Sequence, residues 1–216
     1  MLAAPPIRLY LAIEYGVLFF GLVVLYTLLF QGTSPIPVLL VLGAAVVVYL
    51  LRSPTFDRSS LWRPDALPGQ LRSIGLLWGV TAVGAGVAVA VARPDLLLSL
   101  PREDPLTWAL VMVLYPLASV YPQELIFRAF LFQRYAPVFG EGHGMVGASA
   151  AAFGFVHLPF GNWIAIVLSL AGGWIFASRY QRTRSLLTVS FEHALYGMLI
   201  FTIGLGLYFF HGAVRG

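Results

Sequence analysis

Five candidates for chemistry are ionisable side chains inside apolar stretches of the sequence, where charged groups are rare. They are a glutamate and an arginine four residues apart, two histidines, and a second glutamate next to one of the histidines: Glu124, Arg128, His157, Glu192 and His193. An ionisable group in hydrocarbon costs a few kcal/mol or more, so such groups are kept mainly where they act or pair. At a rise of about 1.5 Å per helical residue, Glu124, His157 and His193 fall roughly 12–18 Å from the same end of their helices. Three groups from three helices at one depth are the pattern expected of a buried site.

The chemistry that these residue types favour is the activation of water. A carboxylate near an imidazole can take a proton from water, and a second imidazole can hydrogen-bond the developing oxyanion. The same side chains could instead bind a divalent metal such as zinc, with Glu124, His157 and His193 as ligands and the bound water as nucleophile. Glu124 and Arg128 stand at positions i and i+4 and can pair on one helix face. The residues alone leave both mechanisms open.

The elements that must position these groups are predicted to be transmembrane helices. Of 216 residues, 59% are hydrophobic and 10% are charged, whereas soluble domains carry about 25% charged residues. Apolar stretches of spanning length, roughly 17–25 residues, or close to it, lie at Leu9–Phe30, Pro35–Leu51, Arg72–Ala92, Pro105–Tyr135, Met145–Leu158, Asn162–Tyr180 and Ser185–Phe210. We therefore expect an all-α fold, a polytopic transmembrane helical bundle of about seven spans, in a single integral membrane domain over residues 1–216.

Two of the predicted segments depart from a regular span. The fourth is too long for one straight span and contains Pro116 and Pro122, which predict a kink. The fifth is short and ends at Leu158 and Pro159, with Gly161 close behind. A segment of that length is expected to stop or re-enter within space lined by protein.

The basic residues indicate how the helices are oriented. All of them are arginines, because the chain has no lysine, and most fall in the connections between apolar segments. With a cytoplasmic N-terminus, the cytoplasmic side receives Arg8, Arg52, Arg58, Arg63, Arg72, Arg134, Arg179, Arg182 and Arg184, and the other side Arg93, Arg102 and Arg215. This is the positive-inside pattern, and an odd number of spans then places the C-terminus outside. We expect an integral protein of the bacterial inner (plasma) membrane, with the lipid bilayer and not nucleic acid as the partner of its basic residues.

Three short motifs contain the buried residues. They read Gln123-Glu124-Leu125-Ile126-Phe127-Arg128, Phe153-Gly154-Phe155-Val156-His157 and His193-Ala194-Leu195-Tyr196-Gly197. In order and spacing they resemble the motifs E-E-x-x-x-R, F-x-x-x-H and H-x-x-x-N of the CPBP family, the CAAX proteases and bacteriocin-processing enzymes. The resemblance is strongest over residues 105–210. It implies a CPBP-like core and an intramembrane endopeptidase whose partner is a membrane-associated peptide or protein substrate.

The resemblance and the chemistry together suggest a role for each matching residue. We expect Glu124 to activate water, alone or with a metal, and His157 to position that water. We expect His193 to stabilise the oxyanion and Arg128 to hold Glu124.

Two positions depart from the family motifs. The first glutamate, which the resemblance implies is the general base, is Gln123 here, and the asparagine that closes the third motif is Gly197. Because an amide is not a base near neutral pH, another carboxylate must serve in a hydrolase. Glu124 is the preferred candidate and Glu192 the alternative. The same departures support a second function, a catalytically silent membrane scaffold or immunity protein that binds a peptide or a lipid.

Other hydrolytic classes fit the sequence less well. The absence of cysteine excludes disulfides, thiolate metal sites and a cysteine nucleophile. All four aspartates lie in connections, and there is no H-E-x-x-H sequence. A serine mechanism using Ser149 and His193 is a weaker alternative, because it leaves the other buried groups unexplained.

Overall fold

In the computed structural model, residues 5–30 and 32–209 are described, and every regular element within them is helical. The α-helices are Pro5–Gly16 (α1), Leu22–Leu29 (α2), Ile36–Arg52 (α3), Leu71–Ala92 (α4), Ser99–Glu103 (α5), Pro105–Tyr115 (α6), Tyr121–Glu124 (α7), Leu131–Phe139 (α8), His143–Phe155 (α9), Trp163–Thr183 (α10) and Leu186–Thr202 (α11). Three π-helical segments are Val17–Gly21 (π1), Pro116–Val120 (π2) and Leu125–Phe130 (π3). Short 3-10 turns are Arg58–Leu61, Pro64–Ala66, Pro68–Gln70, Leu158–Phe160 and Leu205–Phe209. The predicted all-α class is confirmed.

Within the described residues, four helical stretches are long and apolar enough to cross a membrane: Pro5–Leu29, Pro64–Ala92, Pro105–Phe139 and Trp163–Thr183. Two shorter apolar helices, α3 and α11, have 17 residues each, which is about the lower limit for a span. The helix α9 has 13 residues and falls below that limit. Each predicted segment therefore has a helical counterpart, while the number of helices that cross the bilayer stays a prediction.

The outer faces of these helices are apolar. On α4, for example, the side chains of Val80, Val83, Val87 and Val91 are all exposed. A protein in water would gain free energy by burying such a row of valines, whereas a hydrocarbon environment leaves them at no disadvantage. The surface therefore supports an integral membrane protein.

The helical stretch from α6 to α8 is interrupted at the two prolines that the sequence singles out. Pro116 opens π2. In a regular α-helix the ring of Pro122 would clash with the carbonyl of Ala118, four residues earlier, and Ala118 lies within the wider π2 turn. The segment π3 begins directly after Glu124. The short helix α7, with Gln123 and Glu124, therefore lies between two π turns, which are frequent at functional sites.

The helices α9 and α10 pack closely because small residues face each other. A Cβ atom added at Gly154 would lie 3.0 Å from Leu170 Cβ, and one added at Gly173 would lie 3.0 Å from Ala150 Cα. Such close approach through glycine is typical of helix interfaces in membranes. It fixes the C-terminal end of α9, where His157 follows.

Several connections meet at one end of the bundle. Ser185 Oγ donates a hydrogen bond to the carbonyl of Arg63 at 2.9 Å, and Gln133 Nε2 donates to Thr55 Oγ1 at 2.8 Å. Gln181 Nε2 also donates to the carbonyl of Glu141. The connections that follow α3, α8 and α10 therefore lie on the same side, as the predicted topology requires.

Candidate active site

Two of the predicted residues meet directly in the interior. His193 Nδ1, from α11, lies 2.7 Å from Glu124 Oε1, from α7. Arg128 Nε lies 3.1 Å from the other carboxylate oxygen, Oε2, as an ion pair between two fully buried side chains. The atoms of this pair are not aligned as a hydrogen bond, so charge alone joins them. The predicted pairing of Glu124 with Arg128 at i and i+4 is present.

Aromatic rings enclose these charged groups. The guanidinium carbon of Arg128 lies 4.6 Å from the centroid of the Phe153 ring and 5.7 Å from that of Phe176. The imidazole of His193 stacks on Phe176 with centroids 4.5 Å apart and an interplanar angle of 19°. Cation–π contacts are stronger where water is excluded, so the rings help to hold Arg128 beside Glu124.

His157 lies just after the C-terminal end of α9 and contacts the Phe153 ring. Its Nδ1 is 2.7 Å from the carbonyl oxygen of Phe153. Because a carbonyl only accepts, this contact assigns the ring hydrogen to Nδ1 and leaves Nε2 as an acceptor. The Phe153 ring contacts His157 with centroids 5.1 Å apart and His193 with centroids 5.3 Å apart. Both imidazoles therefore contact one aromatic ring, which brings the three predicted residues into one region.

Gln123 is half-buried and points along its own helix. Its side-chain Nε2 donates a hydrogen bond of 2.7 Å to Ser119 Oγ, one turn earlier in π2. The amide at the family's glutamate position therefore takes part in a local contact within the helix.

Glu192 is bound by a partner that was not foreseen. Arg179 Nε and Nη2 donate to its two carboxylate oxygens at 2.8 and 2.9 Å. Arg179 also donates to Ser73 Oγ at 2.8 Å and to the side-chain oxygen of Gln70. Arg179, which the sequence counts toward the cytoplasmic side, lies within α10, and its side chain is 5% exposed. Arg179 therefore joins Glu192 to α10 and, through its bonds to Gln70 and Ser73, to the start of α4.

Tyr115 is a member of the site that sequence reasoning missed. Its hydroxyl oxygen lies 3.2 Å from His193 Nε2. A Cβ atom added at Gly197 would overlap the ring and hydroxyl of Tyr115. The glycine at the family's asparagine position was the signal that a neighbouring side chain fills this space.

Ser149, the residue of the serine alternative, is fully buried. Its Oγ donates a hydrogen bond of 2.7 Å to the carbonyl of Phe127. This hydrogen bond joins α9 to π3, so the Ser149 hydroxyl has a structural role.

The arrangement gives the metal alternative no support. Among residues 5–30 and 32–209, no three His, Cys, Asp or Glu side chains are grouped as ligands of one metal ion. Glu124 and His193 bind each other, and Nδ1 of His157 binds a backbone carbonyl. A metal at Glu124, His157 and His193 stays an untested prediction, and no step below uses one.

A family model matches the part of the chain that contains this geometry. Residues 105–199 match the model described as Type II CAAX prenyl endopeptidase Rce1-like. Over these residues the chain is similar to that family of CAAX prenyl endopeptidases. The match includes all three motifs and supports, in general terms, the activity of a CAAX-type intramembrane protease. No curated protein and no solved structure matches the chain.

Proposed function

We propose that this protein is an intramembrane endopeptidase that hydrolyses a peptide bond in a membrane-associated peptide or protein, with water activated by its glutamate and histidines. The observation that carries the proposal is the contact between Glu124 Oε1 and His193 Nδ1 at 2.7 Å, with both imidazoles in contact with the Phe153 ring. A carboxylate that orients one imidazole, with a second imidazole nearby, provides groups for both proton transfer and charge stabilisation.

His157 is the group best placed to take the proton from water. Its Nε2 carries the lone pair, because Nδ1–H donates to the Phe153 carbonyl. The residue is 9% exposed, whereas Glu124 is 0% exposed. Glu124 also has one carboxylate oxygen on His193 and the other beside Arg128. We therefore move the role of base from Glu124, where the sequence placed it, to His157.

Glu124 serves as a positioning residue in this proposal. It accepts a hydrogen bond from Nδ1–H of His193, so that Nε2 is the ring atom that faces the substrate. In the imidazolium form, which the negative charge of Glu124 favours, Nε2–H donates to the substrate's carbonyl oxygen. In the reaction, water gives its proton to His157 Nε2 while its oxygen bonds to the carbonyl carbon. The C–N bond then breaks, the proton on His157 passes to the leaving amine, and the new terminus is a carboxylate.

The test is cleavage by the purified protein in lipid vesicles. Because the family description names a prenyl endopeptidase, the substrate panel pairs each fluorogenic peptide with and without a prenyl group. We expect the wild type to cut at least one peptide and His157→Gln to lower kcat/KM by about 10²–10⁴-fold. His143→Gln is the matched control, because His143 is exposed and stacks on Trp174 instead. Equal rates for His157→Gln and the wild type would remove His157 from the mechanism.

A second candidate function has its own supporting observations. The Gln123 amide is used in a bond to Ser119, and Tyr115 fills the space at Gly197, so two of the family's polar positions have changed use. Such a protein could bind a peptide or lipid as a scaffold or immunity protein. If this is the function, a peptide should bind the wild type measurably by fluorescence anisotropy. Neither the wild type nor His157→Gln should cleave that peptide.

A further inference from the structure

We propose that Tyr115 is a catalytic residue of this site, whose hydroxyl binds the carbonyl oxygen of the scissile bond together with His193 Nε2. The inference rests on the proposed function and adds to it a residue outside the three family motifs. Its starting observation is that the two polar atoms lie 3.2 Å apart. One substrate oxygen placed beside them can accept from the Tyr115 hydroxyl and from Nε2–H of the His193 imidazolium, both at hydrogen-bond lengths.

The ring of Tyr115 is held in this position from several sides. It meets the imidazole of His193 edge-on, with centroids 6.1 Å apart and an angle of 81°, and it packs against Phe201 at 5.5 Å and 68°. Tyr115 is the last residue of α6, and Pro116 begins the π2 turn directly after it. A π turn changes which side chains share a helix face, so π2 lets Tyr115 and Glu124 approach His193 from one continuous helical stretch.

Gly197 is the residue that makes room for Tyr115. It follows His193 by one helical turn, and residues at i and i+4 share a face. Any side chain there would overlap the tyrosine ring and hydroxyl. The family motif has asparagine at this position, so a polar group one turn after the histidine and Tyr115 cannot both be present. In this chain the polar group beside His193 comes from α6 instead of α11.

The chemistry of the hydroxyl suits the charge that develops during hydrolysis. An oxyanion is stabilised by donors held about 2.7–3.1 Å from it, and removing one such donor typically lowers kcat by about 10²–10³-fold. A tyrosine that only filled space would lose nothing when its hydroxyl is removed. Tyr115→Phe keeps the ring and its contacts with Phe201 and therefore separates the two roles.

The first experiment compares Tyr115→Phe with a matched control in the same helical stretch. Tyr121→Phe removes a hydroxyl that donates to the carbonyl of Leu61 at 3.0 Å, with the same loss of one oxygen. We expect Tyr115→Phe to lower kcat by about 10²–10³-fold with KM nearly unchanged, because the interaction is made in the transition state. Tyr121→Phe should leave kcat close to the wild-type value.

The second experiment tests the exchange of Tyr115 for the family's residue. We expect Tyr115→Ala alone and Gly197→Asn alone each to lower cleavage, the first by removing the hydroxyl and the second by overpacking. The double variant, Tyr115→Ala with Gly197→Asn, should recover cleavage above either single variant, because the asparagine enters the space that the ring has left.

Three outcomes decide the matter. A large kcat loss in Tyr115→Phe, together with recovery in the double variant, supports the inference. If His157→Gln lowers cleavage but Tyr115→Phe has the kcat of the wild type, the role of Tyr115 is overturned and the proposed function stands. A wild type that cuts no peptide overturns the proposed function, and the role of Tyr115 with it.

Discussion

Glu124 Oε1 lies 2.7 Å from His193 Nδ1, although the two residues are 69 positions apart in the chain. Bringing them together requires α7 to face α11 in the interior, where both side chains are shielded from solvent. A polar contact in such surroundings is costly to break, because each partner would be left without compensation. The contact is therefore both a structural constraint and the centre of the proposed mechanism.

Removing the Glu124 carboxylate should destabilise the protein strongly. Glu124→Ala leaves the Arg128 charge fully buried without its counterion, and breaking a buried ion pair in this way costs about 3–5 kcal/mol. Thermal unfolding in detergent measures the change. Asp95→Ala is the control, because its pair with Arg93 at 2.8 Å is exposed on both sides and should contribute little. Similar Tm values for the two variants would contradict the burial of the Glu124–Arg128 pair.

Glu192 should matter for stability and not for chemistry. Glu192→Gln weakens the bidentate bond to Arg179, so Tm should fall, while kcat should stay within about threefold of the wild type because no transition-state interaction is lost. Both quantities are measured on the same purified sample. A large loss of kcat at unchanged Tm would show that Glu192 is the base, the alternative that the sequence left open.

The shared end of the bundle makes a prediction about topology. The native chain has no cysteine, so single cysteines can be placed at exposed positions as Pro54→Cys, Gly142→Cys and Pro94→Cys. In right-side-out vesicles, a membrane-impermeant thiol reagent should label Pro94→Cys and spare the other two, because the positive-inside rule places their connections in the cytoplasm. Labelling of Pro54→Cys and Gly142→Cys on opposite sides would contradict the fold itself.

Ser149→Ala should keep catalytic activity. The substitution removes one buried hydrogen bond to the Phe127 carbonyl, at a cost of about 1 kcal/mol of stability, more if the carbonyl finds no other donor. Cleavage rates per folded molecule should match the wild type. Loss of cleavage in a variant with normal unfolding behaviour would instead support the serine mechanism with His193.

The sequence predicts the helices and the buried charges well, because both follow from local composition. The pairing of Glu124 with Arg128 follows from helical spacing alone. The contacts of His193 with Tyr115 and of Glu192 with Arg179 do not, since they depend on how each helix is rotated and packed against the others. The π turns beside α7 change that rotation in a way that hydrophobic periodicity does not reveal.

An ion pair of the N-terminal helix α1 also depends on helix packing that the sequence does not reveal. In the structure Arg134 binds both carboxylate oxygens of Glu14, at 2.9 and 2.8 Å, and Tyr135 donates to one of them at 3.0 Å. The partner is 120 residues away, so packing of α1 against α8 decides the contact.

The most direct test of the central claim is a double-mutant cycle on peptide cleavage with Glu124→Gln and His193→Gln. If Glu124 acts only by orienting His193, each single variant should lower kcat/KM, and the double variant should be no slower than His193→Gln alone. The measurement uses single-turnover cleavage of the best peptide by wild type, both single variants and the double variant, with retention on size exclusion as the folding control. The account would be contradicted if the free-energy losses of the two single variants, calculated from kcat/KM, added up in the double variant. A Glu124→Gln variant as active as the wild type would contradict it as well.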